Sequence, residues 1–142
     1  MRLYLDSSVL VAAYAPEQFS LRAVELLGTA SELVVSELTV TEARVSLIRK
    51  RKRQAMTAAE VADAFSEIAE AIQDGTISVK PVPVNAHRLA EALADRVMVP
   101  VRAMDALHVA MAALLGAELA TFDADQATAA RAEGITVHTE KI

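Results

Sequence analysis

The stretch Met104–Asp125 reads MDALHVAMAALLGAELATFDAD. Ten residues follow Asp105, from Ala106 to Leu115, and only His108 among them is polar. A run of that length and composition predicts a buried helix, stopped by Gly116. The run ELATF, Glu118–Phe122, then predicts a strand that ends at Asp123. Packing alone gives no reason to put a carboxylate at each end of so apolar a segment.

Working outward, short β-like runs alternate with longer helical ones. RLYL (Arg2–Leu5) predicts a strand and SVLVAAYA a helix. A second, amphipathic helix covers about Ser20–Leu27 and ends at Gly28. ELVVS (Glu32–Ser36) is the next strand, and ELTVTEARVSLIRKRKRQ a long helix. In TAAEVADAFSEIAEAIQDG, Thr57 and Glu60 form a capping box and Gly75 closes the helix. ISVKPVPV (Ile77–Val84) is strand-like, but Pro81 and Pro83 confine it to a short or edge strand. Asn85 is read as the cap of AHRLAEALADR. Beyond Asp123, a last helix spans about Ala124–Glu133 and ends at Gly134, and ITVHT is the final strand. This alternation predicts a three-layer α/β/α sandwich around a mostly parallel sheet of four to five strands. With no internal repeat and no Gly/Ser linker, residues 1–142 read as a single domain.

The bulk composition narrows the function. A chain of 142 residues with 54% hydrophobic side chains builds a core and excludes disorder. Aromatics are only 4%, so Ala, Val and Leu must fill the interior. No apolar run reaches the about 20 residues of a membrane span, and MRLYLDSSVLVAAYAPEQF is broken by Asp6 and lacks a cleavage site. There is no cysteine, which excludes disulfides and thiolate metal sites. Together these features favour a cytoplasmic protein without a membrane role. The net charge is -5, yet five of the fourteen Lys and Arg residues form one run, Arg49–Lys50–Arg51–Lys52–Arg53. One concentrated cationic patch thus sits on an otherwise acidic chain.

Ligands in parallel sheets bind at the carboxyl ends of strands. Asp6 directly follows the first strand and Asp123 the strand ELATF, while Glu42 lies early in the helix after the second strand. If the helix opened by Asp105 starts at the same edge, four carboxylates converge. Such a group must be partly protonated or hold a cation, and oxygen-only ligands suit Mg²⁺ or Mn²⁺. Hard divalent ions among carboxylates are the apparatus of phosphodiester hydrolysis. Each aspartate also suits a plain helix cap, and Asp123 with Gln126 three residues on resembles a capping box. Glu42 taken alone suits a solvated helix residue. Capping does not explain why the acids map to one edge.

With these motifs in order, the sequence resembles the PIN-domain ribonucleases, and among them the VapC-type toxins of bacterial toxin–antitoxin pairs. The resemblance covers essentially the whole chain. It rests on LYLDSSVLVAAY, SELTVTEARVSL and, most specifically, RAMDALHVAMAALLGAELATFD. It implies that Asp6, Glu42, Asp105 and Asp123 are the acidic catalytic quartet and the metal ligands. Ser8 and Thr121 match hydroxyl positions beside the metals, and Asp125 falls near a further acid of some relatives. The implied activity is Mg²⁺- or Mn²⁺-dependent endoribonuclease cleavage by a metal-activated water. The implied partners are an RNA substrate, a small inhibitory antitoxin and a second copy of the chain in a homodimer.

The basic run suits a helix C-terminus and also RNA-backbone contact. Arg44 and Arg102 lie nearer the quartet and are candidates for phosphate contact or for pairing with a carboxylate. His108, three residues after Asp105, reads as a core histidine with a hydrogen-bond partner rather than a ligand. His87 and His138 have no acidic companions in their motifs. Val45, Leu47 and Ile48 suit burial in the chain's own core, or else a surface for oligomerisation.

Three other readings compete. A haloacid-dehalogenase-type phosphatase needs a second Asp two residues after the first, where this chain has Ser8. A response-regulator receiver needs a phosphoacceptor Asp before its Lys-Pro turn, and VKP (Val79–Pro81) has none in place. A non-catalytic RNA-binding or protein-interaction module on the same scaffold would usually lack one of the four acids.

Overall fold

The computed structural model describes Met1–Ile142. Its centre is β1 (Arg2–Leu5), flanked by β2 (Glu32–Ser36) and β4 (Glu118–Ala120), with β3 (Ile77–Lys80) and β5 (Val137–His138) at the edges. All four pairings are parallel. Parallel neighbours require crossovers. These are α1 (Ser7–Tyr14) with α2 (Ser20–Thr29), α3 (Glu37–Lys52) with α4 (Ala58–Gln73), α5 (Val84–Arg96) with α6 (Ala103–Leu114), and α7 (Ala124–Ala132) alone.

Side-chain alternation along the strands divides the interior into two layers. Leu3 and Leu5 face one way with Leu33, Val35 and Ile77, and pack on α1, α2, α3 and α4. Tyr4, Val34 and Leu119 face the other way, onto α5, α6 and α7. Both faces are therefore covered, the condition for an all-parallel sheet. The helix Ala103–Leu114 is as buried as its composition predicts: Ala106 and Val109 to Ala112 lie in this second layer.

Strand order β3-β2-β1-β4-β5 places a switch point beside β1. The chain leaves β1 toward β2 and β3, then returns to its other side as β4. The crevice beyond the carboxyl ends of β1 and β4 is where such sheets take ligands.

Several boundaries differ from expectation. The second helix runs through Gly28 to Thr29, since Gly28 meets no positive-φ turn there. The fifth helix begins at Val84 with Pro83, not Asn85, at the cap position. The extended backbone of Pro83 delivers the chain already aimed into the helix, and no side chain caps it. The long helix ends at Lys52, two residues early, because Gln54 turns left-handed with φ 62°. Three residues pair in β4 and two in β5, fewer than ELATF and ITVHT suggest. By contrast, β3 is a four-residue edge strand that stops before Pro81, and Thr57 and Glu60 cap each other's backbone. Leu47 is fully buried, whereas Val45 remains 49% exposed. No helix is long and apolar enough to cross a membrane.

Candidate active site

Asp6 is the first residue past β1 and caps α1, accepting from the Val9 N–H at 3.0 Å. The same carboxylate accepts from the Ser8 hydroxyl and from the Thr121 hydroxyl, each at 2.6 Å. Ser8 also accepts from the Phe122 N–H, and Thr121 from the Asp123 N–H. The two hydroxyls thus stitch the end of β1 to the end of β4 through Asp6. Asp6 is 3% exposed, and burial pushes its carboxyl above the ordinary value of 3.8 against those hydrogen bonds and the nearby His108.

Asp123 caps α7 and accepts from the Gln126 N–H at 2.8 Å. The box suggested by the sequence is only half formed. The Gln126 side chain reaches instead to Asp105, donating from Nε2 at 3.3 Å, and its buried Oε1 has no partner. Asp105 sits in the first turn of α6, which does start at the carboxyl edge. Burial raises its carboxyl first, then the charge of Asp123, with smaller contributions from Glu42 and Asp6. All four acids therefore share one electrostatic neighbourhood.

Glu42 lies in the second turn of α3 and binds the Nε2 of His108 through Oε1. A carboxylate only accepts, so Nε2 carries a proton, and in the neutral ring Nδ1 accepts from the Tyr4 hydroxyl at 2.7 Å. Tyr4 is met in turn by Ser36 at 2.8 Å and Thr39 at 3.1 Å, the two residues that cap α3. Burial pushes the Tyr4 phenol up to about 12, aided by Asp6 and Glu42 and opposed by Ser36 and Thr39. A line of aligned hydrogen bonds thus runs from the sheet interior to Glu42, each bond polarising the next. His108, 1% exposed, is the partnered core histidine that the sequence suggests.

The donor set is oxygen only, and two of its carboxyls are held above their ordinary values, both chiefly by burial and Asp105 also by its acidic neighbours. In kind this fits a hard divalent cation. As placed, no three Asp, Glu or His side chains could hold one ion together. Glu42 is turned to His108, and Asp6 to its hydroxyls, so binding a shared ion requires these side chains to turn inward.

The remaining candidates separate. Asp125 is exposed in the first turn of α7. Arg44 lies with its guanidinium 5.2 Å from the Phe65 ring centroid, packed on α4. Lys50 pairs with Glu17 at 3.3 Å, while Arg51, Lys52 and Arg53 are exposed. Arg49 lines a cavity that Glu42 and Ser8 also line. Arg102 is an exposed residue preceding α6. His138 has an acidic companion after all, Glu118 on the adjacent strand at 2.7 Å, toward the edge of the sheet. Tyr4 and Gln126 were not singled out as site residues. The signal for Tyr4 was a polar-tipped side chain set between two leucines of β1.

Fold and site together define a parallel α/β protein with acids gathered at the switch point of its sheet. The chain belongs to the PIN domain family, whose model matches residues 3–132. None of the curated proteins matches it in sequence. Solved structures similar in fold include VapBC2 from Rickettsia felis, bound to a DNA fragment from their promoter, at 13% identity and TM-score 0.68 over 98% of each chain. The Mycobacterium tuberculosis toxin VapC20, which cleaves the sarcin-ricin loop, is similar at 18% identity and TM-score 0.69, over 89% of this chain and 94% of that one. FitAcB from Neisseria gonorrhoeae is similar at 17% identity and TM-score 0.67, over 97% of each.

Proposed function

We propose that this protein is a metal-dependent endoribonuclease toxin, a single cytoplasmic domain active as a homodimer and inhibited by a small antitoxin. The observation that supports the reading is that Asp6, Glu42 and Asp123 all act electrostatically on Asp105 at the sheet's switch point. Likeness in fold to a toxin–antitoxin complex from Klebsiella pneumoniae, at 16% identity and TM-score 0.60, supports the partner.

In this reading the four acids hold Mg²⁺ or Mn²⁺. The bound cation would acidify water and offset charge on the scissile phosphate. The chain's own part is positional. Ser8, Thr121 and the Val9 N–H fix Asp6. The Gln126 amide steadies Asp105, and His108 orients Glu42. No imidazole pair is placed for acid–base cleavage through a 2′-hydroxyl, because His108 is engaged at both nitrogens.

The test is cleavage of a mixed cellular RNA pool by purified protein in Mg²⁺, Mn²⁺ or EDTA, beside Asp6→Asn and Asp105→Asn. Metal-dependent cutting lost in both variants upholds the reading. Silence from folded protein free of antitoxin would favour the second reading, a non-catalytic RNA-binding or interaction module. One observation favours that alternative: Glu42 is committed to His108 rather than turned toward the other acids.

A further inference from the structure

Beside the acids lies an open cavity of about 530 Å³, between α1, α3 and the turn after β4. Sites for small organic groups measure about 300–1,000 Å³ and combine apolar walls with a few polar groups. We propose that this cavity seats one unpaired nucleotide of the substrate, its base against Phe19 and Phe122. The inference rests on the RNA-cleaving reading and assigns one base of that substrate its seat.

Three observations converge. First, the Phe19 and Phe122 rings stand 5.4 Å apart at 58°, partly exposed, and both line the cavity. They are two of the chain's three phenylalanines, and a half-exposed aromatic pair is a stacking surface that any base fits. Second, the acids on the walls already have partners, and one cation has none. Glu17 pairs with Lys50 and Glu42 with His108, which leaves the Arg49 guanidinium outside any ion pair. It is the one cation lining the cavity, placed where a phosphate could meet it. Third, Ser7, Thr41 and Ser46 line the same space with hydroxyls that make no side-chain hydrogen bond within the chain. Open donors and acceptors of this kind suit a base edge or a ribose. A stacking surface, a lone cation and free hydroxyls, sharing a wall with Glu42 and Ser8, describe a nucleotide next to the scissile bond. A duplex cannot offer its base to such a cavity without unstacking it.

The experiment is fluorescence anisotropy of a labelled single-stranded RNA in EDTA at low salt, so that binding is read without cleavage. A matched oligonucleotide carries one abasic position in place of the preferred base. Stacking on one aromatic ring is worth about 5- to 150-fold in affinity. We expect Phe19→Ala to weaken binding at least fivefold and Phe19→Trp to restore it. The abasic oligonucleotide should lose as much, with no further loss on Phe19→Ala. Arg49→Gln, an exposed change that spares the core, should weaken binding as well. RNA binding that is absent, or indifferent to Phe19 and Arg49, overturns the subsite. So does Phe19-dependent binding of an acidic peptide without RNA binding, which would make the cavity a protein-docking site. The two proposals fail separately. Phe19-dependent binding without metal-dependent cutting sinks the nuclease and keeps the subsite, whereas cutting indifferent to Phe19 does the reverse.

Discussion

His108 donates from Nε2 to the carboxylate of Glu42 while its Nδ1 accepts from Tyr4, so an imidazole inside the core sets the direction of an acid at the surface of the site. The arrangement fixes one tautomer and one ring orientation.

Replacing His108 should therefore separate two effects. His108→Gln keeps an amide N–H where Nε2 lies, and His108→Asn does not reach Glu42. Loss of a partner that orients a metal-binding group typically costs about 10–100-fold in affinity. His108→Asn should weaken Mn²⁺ binding by that factor, and His108→Gln should recover much of it. In Tyr4→Phe, the ¹⁵N shifts of His108 should report a mixture of tautomers in place of one. Equal metal affinity in the Asn and Gln variants would remove the orienting role.

Asp105 is raised by burial and by the charges of Asp123, Glu42 and Asp6. Its ionisation near neutral pH therefore opposes folding. Asp105→Asn should raise the Tm of the metal-free protein by a few degrees, the effect of about 1 kcal/mol in a domain of this size, while abolishing RNA cleavage. Added Mn²⁺ should raise the Tm of the wild type more than that of the variant. A variant that melts lower than wild type at pH 8 without metal contradicts this reading of the charges.

A distant ion pair behaves in the opposite sense. Arg96 at the end of α5 holds the Glu133 carboxyl below its ordinary value of 4.5. A lowered carboxyl stabilises the fold above its unfolded value, and that contribution is lost as pH falls through the lower folded value. Glu133→Gln should lower Tm at pH 7, and the gap between variant and wild type should close with acidification below pH 4.5. A gap that persists in acid would assign the loss to packing.

Arg51, Lys52 and Arg53 are exposed beyond the cavity. If all three meet phosphates, replacing them with Ala should weaken RNA binding for every sequence alike. The slope of log K against log salt should then become shallower by about 2. Arg44→Ala, which removes a side chain packed on Phe65, should leave that slope unchanged. The reverse pattern would move the RNA path toward α4.

Asp6 and Asp123 were legible because each ends a parallel strand, and that alone puts them on the carboxyl edge. Asp105 was less so. Its helix follows an irregular connection from Val97 to Arg102, and nothing local says at which edge the helix starts. The Tyr4–His108–Glu42 line depends on how β1, α3 and α6 rotate against one another, across 104 residues of sequence. Gln126 shows local pattern and tertiary structure in competition. Spacing makes it a capping partner of Asp123, yet its side chain turns to Asp105. Pro83 displaced Asn85 for a local reason that spacing rules rank lower, backbone shape over side-chain chemistry.

The hydrogen bond from Thr121 to Asp6 joins residues 115 positions apart. During translation, the first acid of the site is made long before the strand that locks it, since β1 precedes β4 by three crossovers. A chain cut short before β4 carries Asp6 and Glu42 but has nothing to hold them in place. The site is therefore assembled only once β4 has been made and has paired with β1.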